Sequence, residues 1–125
     1  HSPVTRRWMY IRRMIRQILC AATLLAAPAP AFAQAANFEL VNGTGAPISG
    51  VSIRRATTQA WRPLSVSAGP GARTAVQFAD PDCAFDIQAN LTGVGVVVWT
   101  GVNLCGTKVV ILNRNGSGVL WVDYD

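Results

Sequence analysis

Two cysteines, Cys83 and Cys105, constrain this chain more than any other feature, because they are placed symmetrically about Gly93-Val94-Gly95. A hairpin turning at Val94 through a three-residue loop would set the cysteines opposite each other on neighbouring antiparallel strands. Directly opposed residues have Cβ atoms about 4.5 to 5.5 Å apart, just beyond the usual Cβ spacing of a disulfide. With a small local closing of the strands, the pattern predicts a Cys83–Cys105 disulfide.

The first 33 residues have the layout of a secretory signal. Five arginines precede the apolar run from Ile18 to Ala27, which is shorter than the roughly 20 residues of a membrane span. Ala31 and Ala33 then supply small residues at the two positions that a signal peptidase reads. We therefore predict a signal helix that is removed by cleavage between Ala33 and Gln34.

The predicted organisation is a signal peptide over residues 1–33 and a single mature domain over residues 34–125. The sequence opens on His1, and Met9 and Met14 are its two candidate start residues. An arginine pair before Met9 resembles a twin-arginine export signal, whereas the sequence from Met14 is by itself a compact general secretory signal. Both routes imply a periplasmic or secreted protein that meets the membrane only through its signal before cleavage.

The basic character of the chain belongs to the signal. Five of the 11 basic residues lie before residue 34, so the mature part has six basic residues against all six acidic ones. A neutral domain gives no reason to expect nucleic acid or an anionic membrane as a partner. Arg54 and Arg55 form the one local basic pair, and solvated strand residues are the favoured interpretation of them.

The cysteine pair favours a structural cross-link over a metal or redox site. A domain of this size buries a limited fraction of its surface and gains stability from a disulfide in an oxidising compartment. The intervening residues do not form a C-x-x-C unit, and residues 34–125 contain no histidine to complete a zinc site. We expect no cofactor.

Short alternating segments separated by turn residues predict an all-β protein, a small antiparallel β-sandwich of about seven strands. The pairing about Val94 would set Ala89 opposite Trp99 and Ile87 opposite Gly101. Val102 and Leu104 have the opposite parity, which indicates either a strand buried on both faces or a bulge at Gly101. A second bulge is expected at Gly50. The aromatic residues expected in the core are Phe38, Trp61, Phe78, Phe85 and Trp99.

Candidate chemistry is sparse. Without a histidine in the mature part, a Ser-His-Asp site is excluded, and no catalytic residue is predicted. Asp80, Asp82 and Asp86 surround Cys83 and could hold calcium with turn carbonyls. The favoured interpretation is that they are turn and strand residues, because their spacing is not that of a calcium-binding loop.

Several segments of the mature chain together resemble a group of small exported proteobacterial proteins of unknown function, often described only by a twin-arginine export signal. The matching segments are Phe38–Gly45, Trp61, Leu64, Gly69–Gly71, Asp82–Asp86 and Val102–Cys105. The resemblance covers most of residues 37–110 and implies an exported β-sandwich with one disulfide. It carries no catalytic residue over, and the last hairpin, Asn113–Asp125, departs from the pattern.

The leading hypothesis is a non-enzymatic binding or accessory protein of the cell envelope. Trp121 and Tyr124 on the last strand could form an aromatic surface for a protein or a carbohydrate, with Arg54 and Arg55 as further binding candidates. A structural protein that self-associates through the edge strand 119–124 is the second hypothesis. A small hydrolase with paired carboxylates ranks third.

Overall fold

The computed structural model describes residues 33–125, and within that range it contains eight strands and no helix. The all-β class is therefore confirmed, with one strand more than predicted. No segment of the described range could cross a bilayer as a helix. The predicted signal helix lies outside these residues. The strands are β1 Phe38–Gly43, β2 Ile48–Arg55, β3 Arg62–Pro63, β4 Arg73–Val76, β5 Ala84–Leu91, β6 Gly95–Asn103, β7 Val109–Arg114 and β8 Leu120–Tyr124.

The strands form two four-stranded sheets, in the orders β4-β1-β7-β8 and β3-β2-β5-β6. Five of the six pairings are antiparallel, but β1 and β7 run parallel from Glu39 beside Val109 to Gly43 beside Asn113. The prediction of an antiparallel sandwich is confirmed for the other five pairings and was wrong at this pair. Turn residues predict the relative direction of consecutive strands only, and no turn joins β1 to β7.

The core lies between the inner faces of the two sheets. Phe38, Phe85 and Trp99 are buried in it, as predicted. Phe78 is partly buried against them, with its ring edge-on to Phe38 at 6.2 Å and to Phe85 at 5.1 Å between centroids. Trp61 was predicted in the core and is not there. Its ring lies under the Arg54 guanidinium, 4.3 Å from the ring centroid.

The hairpin of β5 and β6 turns one residue earlier than predicted. Leu91 pairs with Gly95, and the Val94 N–H donates to the Leu91 carbonyl at 3.0 Å, so the loop is centred on Gly93. Trp99 consequently lies opposite Ile87 and not opposite Ala89. A shift of two residues along one strand leaves every side chain on the same face, so the apolar alternation could not distinguish these registers.

A bulge at Gly101 changes the parity of β6, which is one of the two alternatives that the sequence pattern left open. Thr100 and Gly101 together oppose Asp86, because Ile87 pairs with Trp99 while Phe85 pairs with Val102. Gly101 takes a positive φ of 67°, which residues with a Cβ adopt at a cost. The residues before and after it therefore face the same core, namely Trp99, Val102 and Leu104. The second predicted bulge, at Gly50 in β2, is also confirmed.

Cys83 and Cys105 form the predicted disulfide, with Cα atoms 5.0 Å apart. The Leu104 N–H donates to the Cys83 carbonyl at 2.9 Å, so Leu104 is the residue paired with Cys83. The cysteines are diagonal neighbours because the bulge offsets the two strands by one residue.

Replacing both cysteines by serine should lower the free energy of unfolding by about 3 kcal/mol, because the cross-link closes a loop with a sequence separation of 22. Urea denaturation of the oxidised protein and of the Cys83→Ser/Cys105→Ser variant measures the difference. Reduced wild type is the control and should unfold at the same urea concentration as the variant. Equal midpoints for oxidised wild type and the variant would contradict the prediction.

Gly101→Ala should destabilise the protein by about 1 kcal/mol, because alanine is strained at a positive φ although its Cβ would meet no neighbour. Gly116→Ala is the matched control, since Gly116 also has open space around it but no positive φ. Thermal unfolding of the two variants checks the difference, and equal melting temperatures would count against a strained bulge.

Candidate functional site

The two sheets leave a cleft between β6 and β8. Each of these strands is the terminal strand of its sheet. The cleft has a volume of about 280 Å³, and its lining includes Val98, Trp99, Thr100, Leu120, Trp121 and Tyr124. No charged side chain contributes to the lining. The cleft is thus uncharged and includes aromatic rings, and backbone groups and hydroxyls form most of its exposed lining.

Trp99 forms a fixed wall of this cleft. Its indole is buried, and Nε1 donates to the carbonyl oxygen of Asn113 at 2.9 Å. That bond joins β6 of one sheet to β7 of the other. A buried indole with its N–H satisfied is rigid, so this side of the cleft is preformed.

Trp121 and Tyr124 both line the cleft, but from different faces of β8. They are three residues apart on a strand, and side chains alternate between its faces. Trp121 is 43% exposed and Tyr124 is 47% exposed. The Tyr124 hydroxyl accepts a hydrogen bond from the Asn103 N–H of β6 at 2.9 Å. Tyr124 therefore ties β8 to β6, and Trp121 is the ring that is available to a ligand.

The four terminal strands differ in how their free edges are protected. Arg62 and Pro63 make up β3, Arg73 begins β4, and Asp123 lies in β8. Charges, prolines and short length are the devices that keep an edge from pairing with another chain. β6 is nine residues long and has neither a charge nor a proline. Its second half is protected by the bulge at Gly101 and by the hydrogen bond from the Asn103 N–H to Tyr124. Residues 95–99 pair regularly with β5 and form the unprotected part of this edge.

Sequence reasoning missed β6 as a functional element. The signal was present, because no Asp, Glu, Lys or Arg occurs between Asp86 and Lys108. Val94 and Val96 are large apolar residues exposed to solvent in this stretch, Val96 by 67%. An uncharged strand is equally typical of the centre of a sheet, so its sequence does not predict that β6 is a terminal strand. The sheet order shows it.

The three carboxylates considered as a calcium site, those of Asp80, Asp82 and Asp86, form ion pairs with arginines. The buried side chain of Asp80 accepts hydrogen bonds from Arg55 Nε and Arg62 Nη2, each at 3.2 Å, and from the Asp82 N–H at 2.9 Å. Asp82 itself forms an ion pair with Arg55 at 3.1 Å. In the described part of the chain, no group of three or more His, Cys, Asp or Glu side chains is arranged to hold a metal ion.

Asp86 supports the bulge beside the cleft. One of its oxygens accepts from Arg54 Nε at 2.9 Å, and the other accepts from the Gly101 N–H at 3.2 Å. Arg54 also stacks on Trp61. The structure therefore places Arg54 and Arg55 in ion pairs with carboxylates, and neither lines the cleft with Trp121.

The environment of Asp80 favours its ionised form. Burial raises the pKa of Asp80, but the Asp82 N–H and the hydrogen bond and charge of Arg55 lower it by more, so that pKa lies below its ordinary value. The hydrogen bond to Asp80 in turn raises the pKa of Arg55. These groups form a neutral structural cluster rather than an acid–base pair.

The residues of the predicted cleavage site lie next to the folded body. Ala33 and Gln34 are exposed, and Ala35 immediately after them is buried.

Comparison of the chain with protein-family models, with curated proteins and with solved structures finds no match.

Asp80→Asn should lower the free energy of unfolding at neutral pH by about 2 kcal/mol, because the charged hydrogen bonds to Arg55 and Arg62 are lost. Asp82→Asn is the matched control. Its carboxylate is largely exposed, so the expected loss is below about 1 kcal/mol. Chemical denaturation of both variants measures the two values.

The difference between wild type and Asp80→Asn should also depend on pH. Because the pKa of Asp80 is lower in the folded state, its contribution is complete above the unfolded-state pKa and is lost as the pH falls through the folded-state pKa. The stability curves of the two proteins should therefore converge in acid. A constant difference at all pH values would contradict the role given to the charge.

Proposed function

We propose that this protein is an exported, non-enzymatic binding or accessory protein of the cell envelope that accepts an extended, uncharged segment of a partner protein along β6. The observation that carries the proposal is the unprotected part of the β6 edge, residues 95–99, beside the uncharged cleft. A strand at the edge of a sheet presents backbone donors and acceptors on its open side, and an added strand satisfies them.

The lining of the cleft favours a neutral partner strand, because no charged residue contributes to it. Side chains of an added strand alternate in direction, so every second one would enter the cleft near Trp121. With no charged group in the lining, a charged side chain would lose its hydration there without gaining a partner. The exposed Trp121 ring offers a large, rigid contact area for an apolar side chain.

Export is supported by the signal pattern before Gln34 and by the Cys83–Cys105 disulfide. A disulfide persists in oxidising compartments such as the periplasm or the cell exterior. The similarity of the mature segments to small exported proteobacterial proteins points the same way. Together they support a periplasmic or secreted location.

A binding role is supported further by the state of the carboxylates. Asp80, Asp82 and Asp86 are ion-paired with arginines, Glu39 with Arg73, and Asp123 accepts from the Asn113 amide. Catalysis of glycoside hydrolysis needs two carboxyl groups facing one cleft. No carboxylate lines the cleft between β6 and β8.

Peptides selected for binding to the folded protein from a displayed library of random dodecapeptides should be uncharged, with alternating apolar residues. Val96→Lys should weaken their binding at least about tenfold, or by about 1.4 kcal/mol. A lysine on an edge strand opposes strand addition. Val119→Lys is the matched control, because Val119 is similarly exposed at 55% but lies outside β6. Fluorescence of the protein's tryptophans and titration calorimetry measure binding.

Three outcomes would contradict the proposed partner. Selected peptides that bind equally well to Val96→Lys would place the site elsewhere. Binding of an oligosaccharide panel, with loss on Trp121→Ala, would identify a carbohydrate ligand. A concentration-dependent sedimentation coefficient of the protein alone would favour self-association, the second candidate, for which the terminal position of β8 is the supporting observation.

A further inference from the structure

The segment directly after the predicted cleavage site is built into the fold. Ala35 is 1% exposed and forms antiparallel bridges with both Asp80 and Cys105. Its N–H donates to the Asp80 carbonyl at 2.9 Å, and its carbonyl accepts from the Asp80 N–H at 3.1 Å. The backbone of Ala35 therefore bridges to two segments of the chain that lie outside the strands.

The attachment continues without a break into β1. The Asn37 side-chain oxygen accepts from the Phe78 N–H at 2.6 Å, and the Glu39 N–H donates to the Lys108 carbonyl at 2.8 Å. On the other side of the predicted bond, the Ala33 carbonyl oxygen lies 3.9 Å from Cys83 Sγ. The bond between Ala33 and Gln34 thus lies between the disulfide and a buried residue.

Susceptibility to proteolysis depends on the burial and the hydrogen bonding of the backbone around the bond. A peptidase binds its substrate as an extended strand through residues on both sides of the cleaved bond. Only Gln34 separates that bond from Ala35, whose backbone groups already pair with Asp80. In the folded domain, access to the bond therefore requires Ala35 to leave its place between Asp80 and Cys105.

We propose that the bond between Ala33 and Gln34 is cleaved before residues 35–37 dock, and that folding closes the site to the peptidase. The inference rests on the export signal of the proposed function. It implies that signal removal precedes completion of the domain. A chain processed while unfolded fits the general secretory route, whereas the twin-arginine route carries folded proteins.

The test uses the full chain in detergent with purified signal peptidase, and mass spectrometry identifies the new N-terminus. Folded, oxidised wild type should be cut at least about tenfold more slowly than Leu40→Asp, which cannot fold because Leu40 is fully buried in the core. A variant with Gly-Ser-Gly-Ser inserted between Gln34 and Ala35 is the matched control. It keeps the docked Ala35 but should be cut at the rate of the unfolded chain.

Each result decides between the alternatives. Equal rates for folded wild type and Leu40→Asp would overturn the inference and leave the export signal intact. Resistance of the folded insertion variant would also overturn it, because docking of Ala35 would not be the cause of protection. Failure of Leu40→Asp to be cut after Ala33 would overturn both the predicted signal site and the inference.

Discussion

The extra residue at Gly101 is the constraint on which the rest of the structure depends. With it, Trp99, Val102 and Leu104 all face one core. In a regular strand, Trp99 would lie on the face opposite to Val102 and Leu104. The Asp86 carboxylate holds the Gly101 N–H on one oxygen and Arg54 on the other. The same offset makes the cysteines diagonal neighbours, so the position of the disulfide follows from the bulge.

Near the disulfide, Asp80 contacts several separate segments of the domain. The backbone of Asp80 pairs with Ala35, while its side chain binds Arg55 and Arg62. Ala35 also bridges to Cys105. An ionised carboxylate with so little exposed surface is stabilised because its oxygens are hydrogen-bonded on several sides. Asp80 therefore connects Ala35, which precedes β1, with β2, β3 and the disulfide.

The local features of the fold could be predicted from the chain, and the pairing could not. The disulfide was predicted from the spacing of the cysteines. Because side chains alternate strictly along a strand, the parity of Val102 and Leu104 left two alternatives, and the structure has the bulge at Gly101. Trp61 and Trp99 look alike in sequence, yet only Trp99 is buried, since Arg54 covers Trp61 from outside the core. Trp121 and Tyr124 were predicted as a surface, whereas the hydrogen bond from Asn103 to Tyr124 joins strands whose proximity no local pattern specifies.

By itself the sequence determined the β class, the covalent cross-link, the neutral charge of residues 34–125 and the uncharged stretch between Asp86 and Lys108. Only the tertiary structure decided that β1 and β7 run parallel, that β6 is a terminal strand and that its free edge meets β8 across an aromatic cleft. The physical reason is range. Alternation, turns and loop closure act between near neighbours in the chain, whereas sheet order depends on how all the apolar faces bury one another at once.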